Sequence, residues 1–138
     1  MAAKDFYHFH VKNALLKAGW NVTDDPFPIK WLGTTLQVDF GAEKIFAAEK
    51  DGRKIAVEVK SFIGASKIDD LKDPGGQFIL YRSALKTTFP ERELFLALRD
   101  TAYANTFEHP EGEILRIEEN IKIIIFNAET QEIVQWIS

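Results

Sequence analysis

The dipeptide Asp51-Gly52 constrains this chain more than any other pair of residues. An Asp-Gly step flanked by strand-like segments is the strongest short-range signal for a tight hairpin, because its turn takes left-handed backbone. It predicts that residues 44–50 and 53–60 are antiparallel neighbours. In the second arm, KIAVEVK, alternate residues face opposite sides of the sheet. Ile55, Val57 and Val59 form an apolar face that belongs in a core. Ala56, Glu58 and Lys60 share the other face, a carboxylate and an ammonium one strand period apart. An unpaired buried charge is costly, and the ordinary use of a Glu-x-Lys triplet is an ion pair on a solvated face.

The rest of the chain reads around this hairpin. Residues 4–19 have apolar positions at 6, 9, 11, 14, 15 and 18, which predict a helix stopped at Gly19. Residues 20–35 hold two prolines and several turn formers, and are expected to be loop with at most a short extended piece. LQVDFG, 36–41, opens a strand that bends at Gly41. Residues 66–87 predict a helix interrupted at DPGG, 73–76, by a proline and two glycines. The near-continuous apolar run in ERELFLALRD suits a strand covered on both faces. TAYANTF and PEGEILRIEEN predict short helices. IKIIIFN and EIVQWIS predict two closing strands joined by NAETQ. The order is helix, three strands, helix, strand, helix, two strands: an α/β sandwich with a central mixed sheet. The long helix is expected to be a right-handed crossover between parallel neighbours. With 138 residues and no internal repeat, one domain over 1–138 is the expectation.

Composition narrows the function classes. The chain has no cysteine, which removes disulfides, thiolate nucleophiles and cysteine metal sites. That agrees with a reducing, cytoplasmic setting. The N-terminal stretch carries charges and histidines where a signal peptide needs an apolar run. No apolar stretch approaches the roughly 20 residues of a membrane span. The net charge of −4 lacks the basic footprint of a nucleic-acid binder. Any DNA role must rest on a local basic surface, on metal ions or on a partner.

Asp39 is the first residue that raises Glu58 and Lys60 above an ordinary ion pair. It lies on the face opposite Val38 and Phe40, and strand pairing can bring it beside Glu58. Two close carboxylates are stable if a divalent cation sits between them or if one stays protonated. Mg²⁺ prefers such oxygen ligands. The alternative for Asp39 is an Asx turn before Gly41. Gln77 and Tyr81, four apart, share a face of the following helix, which must fold back over the sheet. They could reach a metal-bound water or a phosphate oxygen, or serve as a surface residue and a core residue. Arg82 could reach outward to a phosphate backbone.

Asp39, then Glu58-Val59-Lys60, then Gln77 and Tyr81 resemble the PD-(D/E)xK nuclease superfamily. The segments AAKDFYHFHVKNALLKAGW, VDFGAEKIFAAEKDGRKIAVEVKSFIGAS, GGQFILYRSAL and EIVQWIS are similar to the XisH family of cyanobacterial fdxN element excision controlling factors. The resemblance covers nearly the whole chain. It implies a restriction-endonuclease-like three-layer sandwich. It also implies a role in controlling excision of a DNA element during heterocyst development, beside the recombinase and with a small XisI-like partner. Carried over residue by residue, it makes Asp39 and Glu58 the metal carboxylates for Mg²⁺, with Mn²⁺ as a substitute. Lys60 becomes the catalytic-site lysine, and Gln77, with Tyr81, supports the site. Asp5 corresponds to an acidic residue that some branches draw from the first helix; near a helix N-terminus it would also complement the macrodipole. Val38 stands where the motif has proline, which is not a ligand.

Three functions remain open at this point. One is metal-dependent phosphodiester hydrolysis. The second is a non-catalytic regulatory or assembly role through the XisI-like partner or the recombinase, with DNA met within a complex. The third is an oligomeric interaction scaffold that binds DNA without cleaving it. A homodimer is the general prior. His8, His10 and His109 are not expected to form a metal site. Glu43 and Glu49 are expected on solvated faces, with Glu49 able to approach the site through the hairpin. Trp20, Trp31 and Trp136 are expected as packing anchors.

Overall fold

The structure, a computed structural model, describes residues 7–35, 45–60 and 67–138, excepting the side chains of residues 31, 34, 35, 45 and 67–77. Helix α1, His8–Lys17, buries His8, Val11, Ala14 and Leu15 along one face. It ends as the glycine predicts. Gly19, at φ +90°, turns the chain, and the amides of Gly19 and Trp20 donate to the carbonyls of Leu16 and Leu15. These bonds satisfy carbonyls that a helix end otherwise leaves bare.

The Asp51-Gly52 hairpin forms as expected. Strand β4, Ile45–Lys50, pairs antiparallel with β5, Arg53–Val59, so that Lys50 faces Arg53 across a two-residue turn. Asp51 and Gly52 both take positive φ, at 51° and 80°. The run ELFLALR is strand β6, Arg92–Arg99, parallel to β5 and buried from Leu94 to Leu98. Helix α2, Lys67–Thr88, connects the two. Helices α3, Asp100–Asn105, and α4, Pro110–Glu118, then lead to β7, Ile123–Asn127, parallel to β6. Strand β8, Glu132–Ile137, closes the sheet antiparallel to β7.

Two expectations are corrected. The segment read as loop with one short extended piece holds three: β1, Asn21–Asp24, which pairs with β4, and a small hairpin of β2, Lys30–Trp31, with β3, Thr34–Thr35. NVTD carries little apolar signal because it is an edge strand with only Val22 partly buried. The sheet partner, not local pattern, orders it. Helix α2 also runs unbroken through Pro74. A mid-helix proline removes one backbone bond and adds a clash, but intrinsic propensity is a weak prior that tertiary packing overrides. Beyond the proline the helix buries Phe78, Tyr81, Ala84 and Leu85 against the sheet.

Among the described residues the main sheet has the order β1-β4-β5-β6-β7-β8. Two cores flank it. On one face α1 packs on Phe46, Ile55, Val57, Val59, Phe95 and Phe126. On the other, α2 and α3 pack on Ala56, Leu94, Leu96, Leu98 and Ile123. The chain is an α/β sandwich around a mixed sheet, as the alternation of β5 requires.

Candidate functional site

Glu58 and Lys60 sit at the carboxyl end of β5, on the face covered by α2. In open α/β sheets this end of the parallel strands is where ligands collect. The amide of Lys60 donates to the carbonyl of Ala97, which extends the β5–β6 ladder one residue past the strand. That bond holds Lys60 in step with Glu58. The Lys60 Nζ lies 3.9 Å from Glu58 Oε2, with the Glu58 side chain only 1% exposed and that of Lys60 13%. The solvated ion pair expected from the triplet alone is therefore ruled out. The pair stands at the margin of a core, with the carboxylate inside and the ammonium toward the rim.

Tyr81 joins them. Its side chain is fully buried on α2. Its phenol is pushed well above its ordinary pKa by burial first, and by the negative charge of Glu58 second. Tyr81 is thus both the core residue and the site neighbour that the sequence offered as alternatives. Gln77 lies on the same helix one turn earlier, but its side chain falls outside the described part. Asp39 and Asp5 lie outside the described residues. Among the described residues no group of three or more histidine, cysteine, aspartate or glutamate side chains is assembled to hold a metal. Glu58 offers a carboxylate oxygen, the donor type that Mg²⁺ takes.

Other residues go elsewhere. Arg82 does not reach outward: its Nη1 donates to the carbonyls of Glu119 and Asn120, pinning the end of α4. Glu49 faces Lys54, four residues before Glu58, and its Oε1 lies 3.3 Å from Arg92 Nη2. It belongs to the opposite end of β5. A cleft of about 440 Å³ at that end is lined by Arg82, Lys86, Arg92 and Lys122 together with Glu93 and Glu119. Trp20 and Trp136 stack with ring centroids 5.4 Å apart, as packing anchors should; the Trp31 side chain is outside the described part.

Sequence reasoning missed two polar constellations. His8, fully buried, places Nε2 2.9 Å from Asp25 Oδ1, while Lys12 donates to Asp25 Oδ2 at 2.6 Å. His8 and Lys12 are one helical turn apart, which was the available signal. Burial raises the Asp25 carboxyl, but the hydrogen bonds and charges of Lys12 and His8 outweigh it and hold the group below its ordinary value. At the carboxyl end of β6, Arg99 Nη1 donates to the Tyr7 hydroxyl at 3.0 Å, with the guanidinium 5.1 Å from the ring centroid. The arginine that ends the apolar run of β6 was its sequence sign.

Comparison with known proteins adds family and fold. A family model described as XisH protein matches residues 1–134. The crystal structure of an XisH family protein from Nostoc punctiforme PCC 73102 is 41% identical with a TM-score of 0.88, covering 97% of this chain and 100% of that one. The crystal structure of a fdxN element excision controlling factor protein from Anabaena variabilis is 41% identical with a TM-score of 0.87, covering 96% and 98% of the two chains. No curated protein matches the chain.

Proposed function

This chain is a member of the XisH family, and from that premise we propose that it acts on DNA during controlled excision of a genetic element, as a nuclease-like protein of the PD-(D/E)xK type on a restriction-endonuclease-like fold. The observation that carries the proposal is the convergence of Glu58 and Lys60 at the carboxyl end of β5, with Tyr81 beside them. A structural strand end has no need for a carboxylate buried to 1% exposure beside a lysine. Glu58 and Asp39 hold Mg²⁺, or Mn²⁺ in its place, in this proposal. The metal supplies a Lewis acid and an activated water when bound. Lys60 steadies negative charge developing on the phosphate, which a preorganised ammonium in a partly dehydrated site does well. Gln77 supports the site from α2. Tyr81, kept neutral by burial, fixes the wall behind Glu58.

The net charge of −4 favours action within a complex over solitary DNA binding. The proposed companion is a small XisI-like protein, in a cytoplasmic setting. The test incubates the purified protein with plasmid, branched and single-stranded DNA and Mg²⁺ or Mn²⁺, alone and with that companion. Cleavage is expected, and Glu58→Gln and Lys60→Ala should reduce it by at least about a hundredfold, with folding checked by circular dichroism. If wild type and folded variants behave alike in every condition, the regulatory, non-catalytic reading replaces this one.

A further inference from the structure

A net charge of −4 obliges any contact with DNA to run through a local cationic group. Arg99 is such a group. It ends β6, and its half-buried side chain is met by Tyr7, the residue before α1. Its Nη1 donates to the Tyr7 hydroxyl, its guanidinium lies over the Tyr7 ring, and its Nε is buried without a hydrogen-bond partner. Arginine keeps its charge at every pH a protein meets. Yet among the described residues no carboxylate pairs with Arg99. The adjacent Asp100 turns its Oδ1 to the amide of Thr101 instead, at 2.8 Å. A charge held partly out of water is costly unless something neutralises it.

Strand register puts this charge beside Glu58 and Lys60. Val59 faces Ala97 across the parallel β5–β6 pair, and the amide of Lys60 donates to the Ala97 carbonyl. Lys60 therefore runs beside Leu98, and Arg99 is the next residue out. Phe95 and Ala97 lie in the core on the α1 side, Leu96 and Leu98 in the core on the α2 side. Alternation then assigns Arg99 to the α1 side, where Tyr7 meets it, and Lys60 to the other. Neighbouring strands lie roughly 4.8 Å apart, so one phosphodiester backbone crossing the strand ends can touch both cations. Lys60 shares its charge with Glu58 at 3.9 Å, whereas Arg99 has kept its own for an outside anion. The Tyr7 hydroxyl and ring fix the guanidinium plane, which reduces the freedom lost when the fork takes a phosphate.

We propose that Arg99, oriented by Tyr7, anchors a backbone phosphate of the DNA, flanking the phosphate that Glu58 and Lys60 attend. The inference rests on the DNA reading under the proposed function and adds to it the residue that grips the substrate backbone. Arg99 is the phosphate contact and Tyr7 a positioning residue. A contact of this kind fixes the duplex in place without reading its sequence.

The test follows the fluorescence anisotropy of a labelled short duplex titrated with the protein, repeated between about 30 and 150 mM salt. Arg99→Gln should weaken binding about tenfold and flatten the plot of log affinity against log salt by about one unit, alike for unrelated duplex sequences. Arg99→Lys keeps the charge but not the fork, and should keep the wild-type slope while losing about threefold in affinity. Tyr7→Phe removes the hydroxyl and no charge, and should likewise lose about threefold at an unchanged slope. Melting temperatures report folding, and the lysine and phenylalanine variants decide the matter if Arg99→Gln unfolds. A folded Arg99→Gln that keeps the wild-type slope, or lysine and phenylalanine variants that both bind as wild type does, overturns the anchor and leaves the DNA reading standing. A loss confined to particular sequences overturns it as well, because it marks a contact to bases. If wild type fails to bind the duplex even at the lowest salt, the DNA reading itself fails and takes the anchor with it.

Discussion

At the scale of single residues, Asp25 couples the loop after β1 to helix α1 through His8 and Lys12. Its carboxyl titrates below the ordinary value in the folded chain, so the folded state binds its proton less readily than the unfolded state does. The associated stability is present above the unfolded carboxylate value of about 3.9 and is lost as pH falls through the lower folded value. Thermal melts between about pH 6 and pH 2 should therefore fall more steeply for wild type than for Asp25→Asn. Equal slopes would mean that the Asp25 carboxylate contributes nothing to acid sensitivity. Asp25 is 13 and 17 residues away from Lys12 and His8, and no local pattern joins it to that pair. Glu58 and Lys60 differ: their shared face follows from the two-residue period of a strand, and their convergence was legible before any fold was known. Their depth was not, because a strand face is wet or dry according to what packs on it, and here that is α2.

Among the described elements, α4 has an exacting seat. Gly112 approaches the preceding turn so closely that an added β-carbon would meet the Thr106 carbonyl oxygen and come within 2.8 Å of Phe107 Cα. Both neighbours are backbone and cannot swing aside. Gly112→Ala should cost about 1–3 kcal/mol, read as a lower melting temperature, whereas Glu113→Ala on the exposed side should change it little. Parity between the two would show that α4 is free to shift. Sequence reading found most elements because their signals are local: Asp51-Gly52 for the hairpin, the apolar run for β6, and the polar NAETQ between β7 and β8. It allowed only a short extended piece where β1 lies, because those four polar-leaning residues become a strand only where β4 offers an edge. It expected a break in α2 where Pro74 is accommodated. Local preference of about 3 kcal/mol for proline is a small term beside the burial of a helix face.

For the whole molecule, charge and topology act together. With a net charge of −4, the isolated chain should bind a short DNA duplex no tighter than about 1 μM at physiological salt. Fluorescence anisotropy would measure this, and the companion protein should tighten it. Nanomolar binding by the chain alone would show that a local basic surface overrides the global balance. The sequence by itself determined the alternating faces of β5, the hairpin register, the doubly covered β6 and the pairing of Glu58 with Lys60. Each of these depends on neighbours within a few residues, where backbone geometry dictates direction. Only the tertiary structure decided that α2 lays Tyr81 beside Glu58, that Arg82 turns back to α4, and that Glu49 belongs to the far end of the sheet. Those placements depend on how distant segments pack once loops close. Packing is decided by the summed burial of both cores, which no short stretch of sequence contains.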